Sequence, residues 1–240
     1  MSLELTALTI DAHDPQALAG FWAGVLDRRV LPDEDGIVVL PPVRPVQFRI
    51  EFAPTAEPKR GANRMHLDLT SASPDDQQQT VARALDLGAR HLDIGQGPEV
   101  THVVLADPEG NEFCVIEAGN NFLADTDAIG ALSGDGTRSV GHFWSAVLDW
   151  PLVWDQDSET AIQSPAGGSK LTWGGPPVAE KLGKNRLHLD LAPPADGDQL
   201  TEVERLLSLG ARRVDIGQGA VPWVVLVDPD GNEFCVLTPR

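Results

Sequence analysis

The first part of the chain alternates short segments of strand period with one segment of helical period. Residues 3–10 place leucines among polar or small side chains at alternate positions, which predicts a strand. Asp14-Pro15 supplies a helix cap followed by proline, and apolar residues at helical spacing predict a helix to about Asp27. Three short strands bounded by turn-forming residues are predicted next, at about 28–32, 36–40 and 46–53.

The same order of elements then begins again. Residues 64–70 are predicted to form a strand, and Ser73-Pro74 caps a second helix that runs to Leu87. Strands are predicted at about 90–93, 101–106 and 112–117, the last two joined by a turn of Asp, Pro, Glu and Gly. The pattern is therefore strand, helix and three strands, twice.

Four sequence blocks show that this whole series also recurs. NRMHLDL at 63–69 returns as NRLHLDL at 185–191, and over the four blocks 28 of 34 compared positions are identical. Such a repeat indicates duplicated structural units. We therefore divide the chain into two copies, residues 1–119 and 120–240, each predicted to be one domain built from two βαβββ units.

Composition excludes several classes of function. The chain has 240 residues with 36 acidic and 18 basic side chains, and its net charge of −18 argues against nucleic acid or an anionic membrane as a partner. Residues 1–14 lack the basic and apolar regions of a signal peptide, and no apolar run is long enough to span a bilayer. Two cysteines cannot form a disulfide framework. We expect a soluble cytoplasmic protein.

Strand alternation selects candidate site residues in both copies. If Met65, Leu67 and Leu69 face a helix, the alternate residues of that strand face the opposite, concave side. Several ionisable groups on one face need partners or water, so a ligand pocket explains them better than a closed core. The histidines of this face either only hydrogen-bond within the pocket or act in acid–base catalysis. The predicted pocket residues of these strands are Arg64, His66, Asp68, Glu112, Cys114, Arg186, His188, Asp190, Glu233 and Cys235.

Tryptophans distinguish the two copies. Trp150, Trp154, Trp173 and Trp223 all belong to the second copy, where Trp223 aligns with His102 of the first. If Trp173 and Trp223 line the pocket, the second copy would stack a planar aromatic ligand, whereas His102 would make the first pocket more polar. The alternative is that these tryptophans cover an interdomain interface.

Taken together, the motifs resemble the vicinal oxygen chelate superfamily, which includes glyoxalase I, bleomycin resistance proteins and extradiol dioxygenases. The resemblance rests on Phe21-Trp22 in the first helix, His66 in RMHLDL and the DPEGN turn that begins at Asp107, with matching motifs in the second copy. It implies an α+β fold in which four βαβββ units form two tandem glyoxalase-like domains, with curved mixed sheets around a cavity. Two such domains would resemble an internally fused dimer, so we expect a monomeric pseudo-dimer or a homodimer.

The same resemblance implies where a metal would bind. In metal-dependent members the ligands come from the first strand, the strand that opens the second unit and the last strand. His66 and His188 match the middle position, but Cys114 and Cys235 stand where a glutamate is usual. The first-strand position offers no ligand; it falls at or near Ala7, and at Ala128 or Ile129 in the second copy.

A His–Cys pair leaves two ligands in each domain, whereas a catalytic metal site usually has three from the protein. We therefore expect no cofactor. The alternative is Zn²⁺ at His66 and Cys114, and at His188 and Cys235, with an aspartate two residues from each histidine completing the site. The cysteines could instead be inert buried side chains, or nucleophiles paired with the histidines.

Three functions remain open from the sequence. The favoured one is a small-molecule-binding protein of the glyoxalase and bleomycin-resistance type, which does not use the usual divalent-metal chemistry and whose ligand is planar or aromatic. The second is a metal-dependent lyase, isomerase or dioxygenase with an atypical His–Cys site. The third is a non-catalytic interaction module.

Overall fold

Sixteen strands and four α-helices form the described part of the chain, residues 3–32, 34–97 and 99–240 of the computed structural model. The predicted α+β class and the four βαβββ units are confirmed. The first copy contains β1 (Glu4–Ala12), α1 (Pro15–Leu26), β2 (Leu31–Pro32), β3 (Val38–Leu40), β4 (Ile50–Pro54), β5 (Met65–Leu69), α2 (Pro74–Asp86), β6 (Arg90–His91), β7 (Val103–Ala106) and β8 (Glu112–Val115). The second contains β9 (Ile129–Gly134), α3 (Arg138–Leu148), β10 (Leu152–Gln156), β11 (Glu159–Gln163), β12 (Lys170–Trp173), β13 (Leu187–Ala192), α4 (Gln199–Leu209), β14 (Arg212–Arg213), β15 (Val224–Val227) and β16 (Glu233–Val236).

Each of the two eight-stranded sheets combines one unit from each copy. One sheet has the order β14-β15-β16-β13-β1-β4-β3-β2, and the other has the order β10-β11-β12-β9-β5-β8-β7-β6. The two units of each sheet meet at an antiparallel seam, β1 with β13 and β5 with β9. The division between residues 119 and 120 therefore describes the sequence repeat, and each sheet draws strands from both sides of it.

The helices pack in pairs against the sheets. Helix α1 packs on α2, and α3 packs on α4, so the two helices of each copy stay together while its strands enter different sheets. Asp14 caps α1 as predicted, because its carboxylate accepts the Ala17 N–H at 3.0 Å. One continuous apolar core lies between the helices and the sheets. None of the described helices is both long and apolar enough to cross a membrane.

Trp22 and Trp144 fix the turns before β8 and β16 to this core. Both indoles are buried, and their N–H groups donate to Asp107 and Asp228 at 3.2 Å. These aspartates open the DPEGN and DPDGN turns and also accept the backbone N–H groups of the turn residues. The predicted turns thus close the β7–β8 and β15–β16 hairpins, and the two tryptophans pack in the core.

Two segments carry the chain from one sheet to the other. Residues 55–64 lead from β4 to β5, and residues 174–186 lead back from β12 to β13. We call them the crossing segments. They contact each other, since a Cβ placed on Gly61 would lie 2.9 Å from the Leu182 side chain. The histidine-bearing strands β5 and β13 each begin directly after a crossing segment, which places both histidines near the junction of the copies.

Candidate functional site

The candidate residues lie on the face of each sheet that is turned away from the helices, which we call the open face. In β5, Leu67 and Leu69 belong to the core beneath the helices, so strand alternation places His66 and Asp68 on the open face. Asp68 lies directly opposite Cys114 in the register of β5 and β8. The alternation predicted from the sequence is confirmed in this strand pair.

Three of these side chains form a compact group, the His66 cluster of His66, Asp68 and Cys114. Their nitrogen, oxygen and sulfur atoms all lie within 4.8 Å of one another. His66 Nε2 is 3.3 Å from Asp68 Oδ1, and the other oxygen of Asp68 accepts a short hydrogen bond from Ser133. Thr172 in turn donates to Ser133 at 2.9 Å. Hydroxyl groups of the second copy thus support this cluster of the first copy.

His66 is held in its protonated form. Burial alone would lower its pKa, but hydrogen bonds with Asp68 and Cys114 and the Asp68 charge raise the pKa to about 10. The His66 side chain nevertheless remains 34% exposed, so the imidazolium is accessible from the open face. At neutral pH the cluster therefore offers a positively charged hydrogen-bond donor to a bound molecule.

The second copy supplies the corresponding residues on the other sheet, the His188 cluster of His188, Asp190 and Cys235. Their donor atoms also lie within 4.8 Å of one another. Thr9 donates to Asp190 Oδ2 at 2.6 Å, in the place that Ser133 takes in the other sheet. Among the described residues, His188 Nδ1 and Asp190 Oδ1 have no hydrogen-bond partner, although both atoms are buried.

Burial gives His188 the opposite protonation state to His66. It lowers the pKa of His188 to about 3, with a further contribution from the Lys184 charge, so the imidazole is neutral. Burial also raises the pKa of Asp190 to about 6. The His188 side chain is only 10% exposed, against 34% for His66. Identical ligand residues thus form an accessible, charged cluster in one sheet and a deeply buried cluster in the other.

Strand pairing shows which residues of the first strands lie opposite the histidines. The residues directly opposite His188 and His66 are Thr9 and Ser133, whereas Ala7 pairs with Asp190 and Ile129 pairs with Leu69. The first strand beside each histidine comes from the other copy. Hydroxyl groups, which no sequence motif indicated, therefore lie opposite both histidines.

Strand register places a row of cross-strand neighbours beside each histidine. On one sheet Trp154, Ala161, Thr172, Ser133 and His66 face one another across five successive strands. The side chains between Trp154 and His66 are small, and we call this row of positions, with its aromatic end and its charged end, the trough.

The corresponding row of the other sheet is chemically different. It consists of Leu31, Val39, Glu51, Thr9 and His188. Glu51 replaces Thr172 and is paired with Arg49, whose Nε lies 2.5 Å from the carboxylate. Glu51 was not predicted, because the motif that locates the histidine says nothing about the last strand of the other unit.

The predicted arginine and glutamate residues lie at the ends of these strands. Glu112 pairs with Lys59 and Glu233 pairs with Lys181, at 2.8 and 2.5 Å, so both glutamates anchor the crossing segments. Arg64 and Arg186 are buried at the starts of β5 and β13. These four residues lie beside the clusters and bind neither histidine in the described structure.

The predicted aromatic residues do not form one site. Trp173 is placed on the helix face, where it stacks on Trp144 with ring centroids 6.5 Å apart, because its neighbour Thr172 faces the open side. It therefore does not line the His66 trough. Trp223 is 38% exposed at a surface pocket of about 340 Å³, and His102 contacts Gln96. These residues lie outside both clusters.

A different aromatic pair borders the trough. Trp154 is 36% exposed and meets Phe122 edge to face at 5.9 Å, while Lys170 lies over the Phe122 ring. No sequence pattern predicted this contact, because Phe122 belongs to the segment that joins the two copies.

The cysteines do not have the environment of nucleophiles. Both are buried, and burial raises the pKa of Cys114 and of Cys235 above the ordinary thiol value. A reactive cysteine needs a lowered pKa and access to its substrate. The interpretation of both residues as inert or metal-binding side chains agrees better with this arrangement.

Comparison with known proteins identifies the family. The sequence model described as "Glyoxalase-like domain" matches residues 7–116 and 132–237. The chain belongs to the glyoxalase-like family. The predicted resemblance to the vicinal oxygen chelate superfamily is thereby confirmed, and it holds for both copies. No curated protein matches the sequence.

Solved structures support this family assignment at the level of the fold. Glyoxalase I from Zea mays has a TM-score of 0.66 and 14% identity, with 99% of this chain and 92% of that chain covered. A "putative dioxygenase" from Bacillus subtilis has a TM-score of 0.66 and 15% identity, with 100% and 86% covered. At such identity the similarity of the glyoxalase-like chain to both proteins concerns the fold alone.

The donor atoms of both clusters fit a zinc ion. Imidazole nitrogen, thiolate sulfur and carboxylate oxygen are all zinc ligands, and three protein ligands leave a position open for a substrate or water. The two unpartnered atoms of His188 and Asp190 strengthen the fit in that cluster. In the His66 cluster the same groups already hydrogen-bond with one another, so an ion there would first have to displace the proton of His66.

Proposed function

We propose that this glyoxalase-like chain binds a small molecule on the open faces of its sheets, without the divalent-metal chemistry of the metal-dependent relatives. The observation that carries the proposal is the His66 cluster. Asp68 is engaged by His66 at 3.3 Å and by Ser133 without an ion, and the His66 side chain is 34% exposed. The cluster is the polar end of the binding site, and the aromatic pair Trp154–Phe122 borders its other end.

The expected ligand follows from these two ends. A protonated imidazole donates to carbonyl, phenolate or carboxylate oxygens, and a charge-assisted hydrogen bond is stronger than a neutral one. Tryptophan and phenylalanine favour a flat, electron-rich ring. Trp154 and His66 lie four strand spacings of about 4.8 Å apart, so an extended planar molecule with an oxygen acceptor at one end matches the row.

Tryptophan fluorescence tests this proposal, because Trp154 lies at the site. Extended, polycyclic phenols, quinones and aromatic carboxylic acids are titrated into the wild-type chain, and at least one class is expected to give saturable quenching. His66→Gln removes the charged donor and should weaken that binding roughly tenfold. His91→Gln, at an exposed histidine of β6, is the matched control and should leave the affinity unchanged. Absence of saturable quenching by every class would refute the proposal.

A second candidate, a zinc-dependent enzyme, is favoured by the His188 cluster. Its unpartnered nitrogen and oxygen are the atoms that an ion would satisfy. Zinc would supply a Lewis acid to polarise a substrate oxygen. His188, Asp190 and Cys235 would hold the ion, and Thr9 would orient Asp190 through its hydrogen bond. Stoichiometric zinc that is lost in His188→Gln and retained in His66→Gln would establish this candidate.

A further inference from the structure

The two crossing segments border a cleft at the junction of the two copies. Its volume is about 650 Å³, which lies within the range of small-molecule sites. Residues of both crossing segments line it, together with Asp11 of β1, Glu233 of β16 and residues 215–216, which follow β14. The members of the His66 and His188 clusters are absent from the described residues that line it, so the cleft is a separate feature.

Basic residues are concentrated in this cleft despite the net charge of −18. Six of the 18 Lys and Arg residues of the chain line it, together with five carboxylates. The basic residues are Lys59, Arg60, Arg64, Lys181, Lys184 and Arg186.

Ion pairs occupy the lysines of the cleft. Lys59 and Lys181 pair with Glu112 and Glu233 at 2.8 and 2.5 Å, and Lys184 pairs with Asp11. The carboxylates of Glu57, Glu180 and Asp215 also line the cleft, without an ion pair among the described contacts. The arginines are therefore the cations of the cleft that remain available to a ligand.

The arginines have donors that the protein does not use. Arg186 is 6% exposed and donates through Nη1 to the Asp11 carbonyl at 2.9 Å, with Glu109 only at 3.5 Å. Its Nε and Nη2 have no acceptor among the described residues, and neither has Nε of the buried Arg64. Buried charged donors without acceptors are destabilising, so their retention points to an acceptor that the chain itself does not provide.

The repeat places these arginines at equivalent positions. Arg64 and Arg186 occupy the same place in NRMHLDL and NRLHLDL, and each reaches across to the other copy, Arg64 to the Asp230 carbonyl at 3.1 Å and Arg186 to Glu109. Arg60 lies on the first crossing segment, 3.9 Å from the position that a Cβ on Gly183 would take. Among the described contacts Arg60 has no ion pair, and its side chain is exposed.

We propose that this cleft is an anion site, which binds one small molecule bearing phosphate or carboxylate groups at the junction of the two copies. Guanidinium groups match such groups because they donate two parallel hydrogen bonds to a pair of oxygens. Arg64 and Arg186 supply the buried donors, and Arg60 supplies the accessible one. The site goes beyond the proposed function, since it uses neither histidine cluster.

Isothermal titration calorimetry with inorganic phosphate, pyrophosphate and citrate tests the site. At least one of these probes should bind, and the preference for pyrophosphate or citrate shows whether phosphate or carboxylate is recognised. Arg60→Gln, which breaks no described ion pair, should weaken binding roughly tenfold. Arg186→Lys keeps the charge but removes the forked donors, and should weaken binding by a similar factor.

Arg29→Gln is the matched control, because Arg29 is an exposed arginine outside the cleft. It should change the affinity less than twofold. The site is refuted if no probe binds the wild-type chain at concentrations up to about 10 mM. It is also refuted if Arg29→Gln weakens binding as much as Arg60→Gln, since binding would then follow net charge alone.

Discussion

Replacing Asp190 by Asn should stabilise the ion-free protein at neutral pH. Burial raises the pKa of Asp190 from 3.8 to about 6, and its Oδ1 accepts no hydrogen bond from the described residues, with His188 Nε2 only at 3.5 Å. A rise of about two pKa units means that the ionised carboxylate costs roughly 3 kcal/mol of folding free energy above pH 6. Asparagine is uncharged and keeps an oxygen for the Thr9 hydroxyl, which now donates to Asp190 at 2.6 Å.

Thermal unfolding of chelator-treated protein measures this effect. The Asp190→Asn variant should unfold roughly 5–10 °C above wild type at pH 7.5. The difference should shrink as pH falls from 6 toward 4, because the wild-type carboxyl then gains its proton in the folded state.

The equivalent change in the first copy, Asp68→Asn, is the matched control. It should destabilise by about 1–2 kcal/mol, because Asp68 is paired with the protonated and partly exposed His66. Equal destabilisation by both variants would refute the assigned charge states, since Asp190 would then have a stabilising partner in the folded protein.

Three further predictions concern other parts of the molecule. The free energy of unfolding of the wild type should fall by about 1–2 kcal/mol as pH rises from 6.5 through about 10, where folded His66 loses its proton. His66→Gln should remove this decline, and a decline that persists unchanged in the variant would contradict the prediction. Gly141→Ala should destabilise by about 2–4 kcal/mol in denaturant titrations, because the new Cβ would lie 2.0 Å from the Thr160 hydroxyl. Gly20→Ala, with nothing within 4 Å, should instead stabilise by about 0.5–1 kcal/mol, and equal effects of the two changes would argue against the helix packing. Both cysteines should resist iodoacetamide at pH 8 until the protein is unfolded, as mass spectrometry can show; rapid alkylation of the native chain would reopen their interpretation as nucleophiles.

Most of the fold could be predicted because it depends on local signals that the repeat shows twice. Helix caps, DPEGN-type turns and strand alternation gave the order of elements and the open-face positions of His66 and Asp68. Boundaries were less accurate in the short strands. The strand predicted at 46–53 begins only at Ile50, because Gln47 accepts the N–H groups of a turn before it.

The site depended on pairing between distant strands, which local patterns do not specify. Nothing in the sequence near Thr9 or Ser133 shows that they lie opposite histidines of the other copy. The different charge states of His66 and His188 were equally invisible, since both motifs read NR-HLDL apart from one residue. Burial and neighbouring loops produce that difference.

The metal content of the purified chain tests the central claim most directly. Plasma mass spectrometry is applied to wild type, His66→Gln and His188→Gln, all purified without added metal. The account of a ligand-binding protein predicts far less than one equivalent of any transition metal in all three proteins. About one or two equivalents of zinc in wild type, with the loss of one equivalent in either His66→Gln or His188→Gln, would contradict it.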